Sequence, residues 1–458
     1  GLAVRGAGAW PVIRGCRVSG HAGAGLSFSG GAGGLVSSCD ISRCACGVWL
    51  EAGANPLIWR NTLAGHRGAG VVVRADGLGR IVRNAILRNG AGGVLVESAR
   101  RATTVIVQNR VWANAGCDLR QSPAPAGRNA LELGAVLLGN IVGHQEAGPN
   151  AVPAAWPRQV VHCAQELVAA VRGAPLHLAV LIELAGCAIL EEPLVLDRPV
   201  VLVGAARGAA EIQAAPGARA AVLVVPGGEA AALWQLIVRL PGCMGSGVGA
   251  SCVEITAGHP ALVECEFDAA GHGGKVSGKS RGSGGEAVVL THAVRARGTG
   301  VAPMLAGCTI HGATGAGVML DGGASALLLQ CEVSRNAQGG VILGEQASLQ
   351  SEHCGVSHNG HFGVVIGPSA GRAYMGRASF SSNAAGSVWH CGTGPEVAEA
   401  SGPAAGTAPT PSAPALWMEQ CSLAGPAAPL GGLRAPAVVL GPGTAAVLWQ
   451  SLCEQLWA

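Results

Sequence analysis

Carboxylates come first, because two on one face can hydrolyse a glycosidic bond and a cluster of them can hold calcium for a lyase. Asp occurs only at Asp40, Asp76, Asp118, Asp197, Asp268 and Asp321, with no two adjacent. The close Glu pairs are Glu191 with Glu192, and Glu264 with Glu266 around Cys265. On one strand, Glu264 and Glu266 would share the face opposite Cys265. Solvated strand edges account for them. Gly271-His272-Gly273 has the outline of a polygalacturonase triplet but lacks the preceding Asp pair, and it sits in a Gly/Ser-rich stretch. His353, His358 and His361 are the densest group of metal-ligand types, yet no acid or Cys pair completes a set. Gly271 to Gly285 carries Lys275, Lys279 and Arg281 but lacks the Lys-Ser/Thr spacing and following helix of a phosphate loop. The residues therefore assign no catalytic site, no metal and no cofactor.

The sixteen cysteines form no CxxC, and only Cys44 and Cys46 lie close together. They recur at a repeat interval, which points to free buried thiols in a reducing compartment, cytoplasmic or nuclear. Net charge is +3 and only 12% of residues are charged, which argues against a nucleic-acid surface. No long apolar stretch is free of charge, Gly or Pro, so no membrane span is expected. The chain begins with Gly and shows no signal peptide, and it reads as a fragment or a processed form. The 73 Gly suggest disorder by composition, but the spacing of Val, Ile and Leu says otherwise.

That spacing is what must position any site. A marker residue steps through Cys16, Cys39, Asn61, Asn84 and Asn109, each after a short apolar run, with a weaker copy at Asn140. It returns at Cys265, Cys308, Cys331 and Cys354, passes Ala378 and has a late copy at Cys421. Five residues on stand His21, Cys44, His66, Asn89, Asn114, Asn336, Asn359 and Asn383. Nine residues on stand Gly25, Gly70, Gly93, Gly317, Gly340 and Gly363, read as turn glycines that permit positive φ. A coil of about two dozen residues cannot bury a core alone, so coils must stack strand on strand, in parallel and in register. Stacked Asn, or Cys where the ladder is dry, satisfies the bends. The fold class is all-β, a right-handed parallel β-helix solenoid in two arrays with a short capping helix between them.

The division expected is 1–147 for a first array, 148–157 for a linker and 158–395 for a capping helix with a second array. A flexible linker over 396–415 follows, then terminal short strands over 416–458 that the sequence does not place. The helix is expected over 158–172, with Leu167 and Val171 buried against the array end.

Gly53-Ala-Asn-Pro-Leu-Ile-Trp-Arg-Asn61, Gly70-Val-Val-Val-Arg74 and Gly77-Leu-Gly-Arg-Ile-Val-Arg-Asn84 resemble the β-helix repeats of the F-box only proteins of the ubiquitin ligase system. The Shc-binding, spindle-associated family has repeats of the same type. The resemblance covers most of 9–120 and 303–391. Ile182 to Gly204 also looks like the β-helix starts of these proteins. It implies a non-catalytic scaffold that binds a protein partner or substrate, in its specific form a substrate adaptor for ubiquitin ligation. The chain shows no F-box helix triplet and no zinc-binding domain. The alternative class is a polysaccharide lyase, hydrolase or epimerase, with polysaccharide as partner. One Tyr, four Phe and ten scattered Trp favour the scaffold.

Overall fold

The computed structural model describes residues 1–6, 9–74, 77–97, 104–121, 135–138, 140–142, 158–176, 180–206, 208–228, 231–241, 249–270, 290–391, 416–423, 438–440, 446–449 and 452–453. The linkers expected at 148–157 and 396–415 and the Gly/Ser-rich stretch 271–285, with His272, lie outside these residues.

The chain forms two compact units, Gly1–Arg158 with His177–Val180, and Gln159–Leu176 with Leu181–Ala458. Each is a stack of coils, and each coil contributes one short strand to each of three sheets. In the first unit all three sheets are six-stranded; in the second they have eleven, ten and nine strands. A full coil reads Leu57–Trp59, bend, Thr62–Ala64, bend, Ala69–Val73. The next coil repeats it at Arg80–Val82, Ala85–Leu87 and Gly92–Val96, paired in parallel and in register. The coil is thus three strands, one more than the spacing of apolar runs suggests. The terminal segment, left unplaced by the sequence, adds strands Leu416–Glu419 and Ser422–Leu423 to the first and second sheets.

Alternation within strands fills the core with stacked aliphatics. Ile58, Ile81 and Ile106 form one inward column, Leu63, Ile86 and Val111 a second, and Val48, Val71 and Val94 a third. The second unit stacks Val294, Val318, Val341, Val364 and Val388 in the same way. Each such side chain contributes about 1.5–3 kcal/mol on burial.

The bends need a separate device. In the first bend, Asn61 and Asn84 donate their backbone N–H to the Oδ1 of Asn84 and Asn109, at 2.9 and 2.8 Å. Asn84 Nδ2 donates to Asn109 Oδ1 at 3.0 Å and to Ile58 O at 2.8 Å, and Asn140 accepts at the end of the row. Cys39 N donates to Asn61 Oδ1, and Cys16 N to the Cys39 sulfur. In the second unit Cys308, Cys331 and Cys354 hold the same bend; Cys331 N donates to Cys354 Sγ at 3.4 Å and Cys308 Sγ to Leu262 O at 3.3 Å. Asn89 with Asn114, and Asn336 with Asn359 and Asn383, build the second bend. Burial pushes the Cys265 thiol up to about 12 and raises Cys331 and Cys354 further. The fourteen cysteines whose side chains are described form no disulfide.

One expectation is corrected at these bends. Gly25, Gly70, Gly93, Gly317, Gly340 and Gly363 lie inside third-sheet strands, and none has positive φ. They are small because the ladder amide lies over them: a Cβ at Gly70 would stand 2.5 Å from Ile86 Cγ2 and 2.8 Å from Asn89 Nδ2. The left-handed position is instead the residue before each ladder side chain, mostly not glycine: Ser38, Arg60, Arg83, Gln108, Arg88, Gln330, Arg335, His353, His358 and Ser382 all have φ near +54°. Left-handed backbone costs an L-residue about 1–2 kcal/mol, and the ladder hydrogen bonds offset it.

The expected helix is also shorter. Arg158–Val161 is a strand at the start of the second unit's first sheet, and the helix runs Ala164–Gly173. The pair Val160-Val161 is β-branched, and at an array end it gains more from pairing than from a helical turn. The helix buries Leu167, Ala170 and Val171 and packs on strand Cys187–Leu190.

Replacing Gly70 by Ala is expected to destabilise the first unit by about 1–3 kcal/mol through overpacking. Gly173→Ala, with open space around its Cα, is expected to stay within about 0.5 kcal/mol. Urea unfolding followed by circular dichroism compares them.

His66 in the ladder and His292 in strand Thr291–Arg297 each accept a backbone N–H through a ring nitrogen. Cys44 N donates to His66 Nδ1 and Ala316 N to His292 Nδ1, both at 3.2 Å. Only a neutral ring accepts. Burial lowers His66, and burial with the nearby Arg295 charge lowers His292 to about 4. The unfolded chain then binds more protons than the folded one between about pH 6.5 and 4. Stability is expected to be full above about pH 6.5 and to fall as pH drops toward 4, by roughly 3 kcal/mol at most from His292. His292→Gln should flatten that limb of the stability profile measured by urea midpoint against pH.

Candidate functional site

Outer-face residues stack in columns as the core does. In the first unit, Ser27, Trp49, Val72, Leu95 and Arg120 are register partners along the third sheet. Beside them Cys46, Ala69 and Gly92 form a floor of small residues. The result is an open groove of about 390 Å³. Cys46, Ala69 and Val72 pack with Ala24, Trp49 and Leu95 as a small apolar cluster on this outer side.

The rim of the groove is charged and rigid. The Arg74 guanidinium lies over the Trp49 ring, 4.6 Å from its centroid, and its Nε is 3.0 Å from Glu97. Trp49 Nε1 donates to Glu51 Oε2 at 2.9 Å. The indole is thus fixed from above and from its edge. Arg120 is exposed at the end of the column. This arrangement offers shape, apolar area and directed charge.

The second unit brings titratable groups together on the outer face of its second sheet. Strand register aligns Gln213, Arg239, Asp268, His311 and Ser334 in one column, and Glu211, Ile237, Glu266, Thr309 and Glu332 in the next. Arg239 reaches Glu211 at 2.8 Å and Asp268 at 3.6 Å. His311 lies 3.3 Å from Glu266 through Nε2 and 3.7 Å from Asp268 through Nδ1. Asp268 Oδ1 also accepts from Ala270 N. His311 and Glu266 are 45 residues apart in sequence, so no local motif shows the strip. The only signal was that Asp268 stands three residues after the Cys265 marker, as His311 does after Cys308.

The sequence-level candidates fall differently. Glu264 and Glu266 do not share a strand: Ala261–Val263 ends before the bend, Glu264 is left-handed at φ +52°, and Glu266–Asp268 begins the next sheet. Glu264 Oε2 accepts from Gln235 Nε2 at 3.0 Å and Trp234 Nε1 at 3.3 Å, so bound carboxylates replace the solvated edges expected for both. Glu191 and Glu192 are exposed. His353 and His358 occupy the left-handed positions of two different bends, and His361 stacks on Phe362 and Trp389. The three histidines do not converge. Among the described residues no group of three His, Cys, Asp or Glu is placed to hold a metal. No described helix is long and apolar enough to cross a membrane.

Comparison with curated proteins finds no match. Among solved structures, the periplasmic alginate epimerase AlgG aligns over 93% of this chain and 76% of its own, at 8% identity and a TM-score of 0.36. A mutant of the PL6 family alginate lyase AlyGC aligns over 94% of this chain and 69% of its own, at 11% identity and 0.33. ORF18 of Geobacillus virus E2 covers 50% of this chain and 58% of its own, at 10% identity and 0.23. Likenesses at these scores carry no argument about function. The family model for the right-handed β-helix region matches residues 1–126 and 240–400. With more than half of its length matched and both units built of parallel three-strand coils, the chain belongs to the right-handed β-helix family.

Proposed function

We propose that the chain is a non-catalytic binding scaffold whose first unit holds an extended segment of a partner protein in the Trp49–Val72–Leu95 groove. The observation that carries this is the groove itself: apolar columns over a small-residue floor, walled by the fixed Trp49, Arg74 and Glu97. An extended peptide lays alternate side chains on such a surface, apolar ones into the floor over Ala69 and Gly92. The exposed Arg120 at its end favours an acidic residue in the partner. A rigid solenoid face loses little entropy on binding, so modest apolar area suffices. In its specific form, the scaffold presents a substrate to a ubiquitin ligase, as the likeness of the Asn61 and Asn84 coils to F-box only protein repeats implies.

The test places a charge in the groove. Val72→Glu should abolish capture of the proteins that wild-type chain retains from cell extract. Thr62→Glu, on the exposed second sheet of the same coil, should retain them. A ubiquitin ligase subunit among the groove-dependent set supports the adaptor form. Identical sets from wild type and Val72→Glu remove the groove from the function.

One observation favours the second reading, a polysaccharide lyase, hydrolase or epimerase. Arg239, Asp268, His311 and Glu266 share one outer face as a chain of successive contacts of 3.6, 3.7 and 3.3 Å, and a His with carboxylates can move protons at a sugar ring. The scaffold reading expects no turnover of polygalacturonate or alginate, with or without calcium. Turnover that disappears in His311→Ala and Asp268→Asn, measured by release of reducing ends or of unsaturated product, would replace it.

A further inference from the structure

The outer face of the third sheet in the second unit holds more positive charge than its own ion pairs use. Glu254, in strand Ala250–Ile255, has a side chain only 2% exposed. Both its oxygens are taken. Arg219 reaches them through Nε at 3.1 Å and a terminal nitrogen at 3.0 Å, and Arg297 reaches Oε1 at 2.7 Å. Strand register puts Arg295 directly beside Glu254. Two guanidinium groups therefore hold one carboxylate, and a third stands beside it in register.

The other groups facing this point do not remove the surplus. Asp321 is the register partner of Arg297, so counting it still leaves one positive charge over. Its Oδ1 is engaged by the backbone N–H of Gly322 and of Glu345. His292, on the same strand as Arg295, is buried and accepts from Ala316 N, so it is a neutral ring. Leu223 and Met319 stand on either side of Glu254 and Arg295 in the same column and are apolar. Among the described residues Arg295 has no hydrogen bond and no ion pair, and its Nε is shielded from solvent. A guanidinium held half-buried between Met319 and a carboxylate already bonded by two other guanidinium groups, with its Nε unpartnered, lacks an acceptor.

We propose that Arg295, flanked by Arg219 and Arg297, is a binding site for a tetrahedral oxyanion, a phosphate or sulfate group. Glu254 is the positioning residue: it fixes the two flanking forks and cannot itself neutralise the third. A planar guanidinium matches two oxygens of such an anion in parallel hydrogen bonds, and the outward N–H groups of Arg219 and Arg297 supply further donors. The site is separate from the first unit's groove and does not depend on it.

The experiment is calorimetric titration of the whole chain with inorganic phosphate and with sulfate, at constant ionic strength set by chloride. Saturable binding is expected. Arg295→Ala should weaken it by about tenfold or more, Arg295→Lys should weaken it less because it keeps the charge and loses the fork, and Arg335→Ala, at an exposed bend elsewhere, should leave it unchanged. Circular dichroism shows whether each variant keeps its β-structure; if Arg295→Ala does not, Arg295→Lys and Arg297→Gln carry the comparison. A phosphoserine peptide that binds about tenfold tighter than inorganic phosphate identifies a phosphorylated partner as the source, and equal affinity identifies the free anion. Absence of saturation beyond the chloride control overturns the proposal, as does unaltered affinity in the folded variants.

Discussion

Everything in this molecule depends on how a coil turns between parallel strands without a hairpin. Three residues of strand, a left-handed residue, and a side chain that bonds both the coil before and the coil after make the turn. The left-handed residue at Arg83, for example, lets Asn84 point inward, where its amide meets Asn109 Oδ1 and Ile58 O. Remove the amide, and buried carbonyls of the previous coil lose their donor, at about 1–3 kcal/mol each. Because successive bends stack Asn, Cys or His at the same position, the strands stand in register without slip. The glycines at Gly70, Gly93 and Gly340 belong to this device: they clear space for the amide rather than bend the chain.

Register without slip has a functional consequence. A residue on the outer face has a fixed neighbour one strand spacing away, and that neighbour comes from another coil. Chemistry on this protein is therefore assembled across coils, in columns, and never within one short segment. The Trp49 groove draws on four coils and the Glu211 to His311 strip on four others. Such a surface is stiff, long and pre-organised, which suits recognition of elongated partners.

The core and the ladders were legible because both obey the period. Ile58, Ile81 and Ile106 differ by one coil each, and so do Asn61, Asn84 and Asn109, so their alignment is also their stacking. The outer face was not legible for two reasons. A three-residue strand gives too few positions to tell which side a polar residue takes, as Glu264 and Glu266 illustrate: the bend falls between them and assigns them to different sheets. Insertions between coils also stretch the count, so Asp268 and His311 stand 43 residues apart yet are register partners. The left-handed positions were hidden by composition. Arg, Gln, His and Ser fill them where a reader expects glycine, because long polar side chains there point outward and bond their equivalents in the next coil, as Arg83 does with Gln108.

Column stacking also bears on what these faces can do. Like charges one strand spacing apart repel, so a stack of coils tends to alternate acids with bases. Arg239 stands between Glu211 and Asp268, and Arg74 pairs with Glu97 on the next strand. Carboxylates arranged this way spend their lone pairs on guanidinium groups of the scaffold, and a general base needs one free for the proton it takes. Glu266 and Asp268 are the exception, since both also face His311, and that strip is where any catalytic reading must stand. Elsewhere the alternation leaves fixed charge and apolar columns. Under the proposed scaffold role those features serve recognition, and a frame held by buried ladders supplies them without any group that must change its protonation state to act.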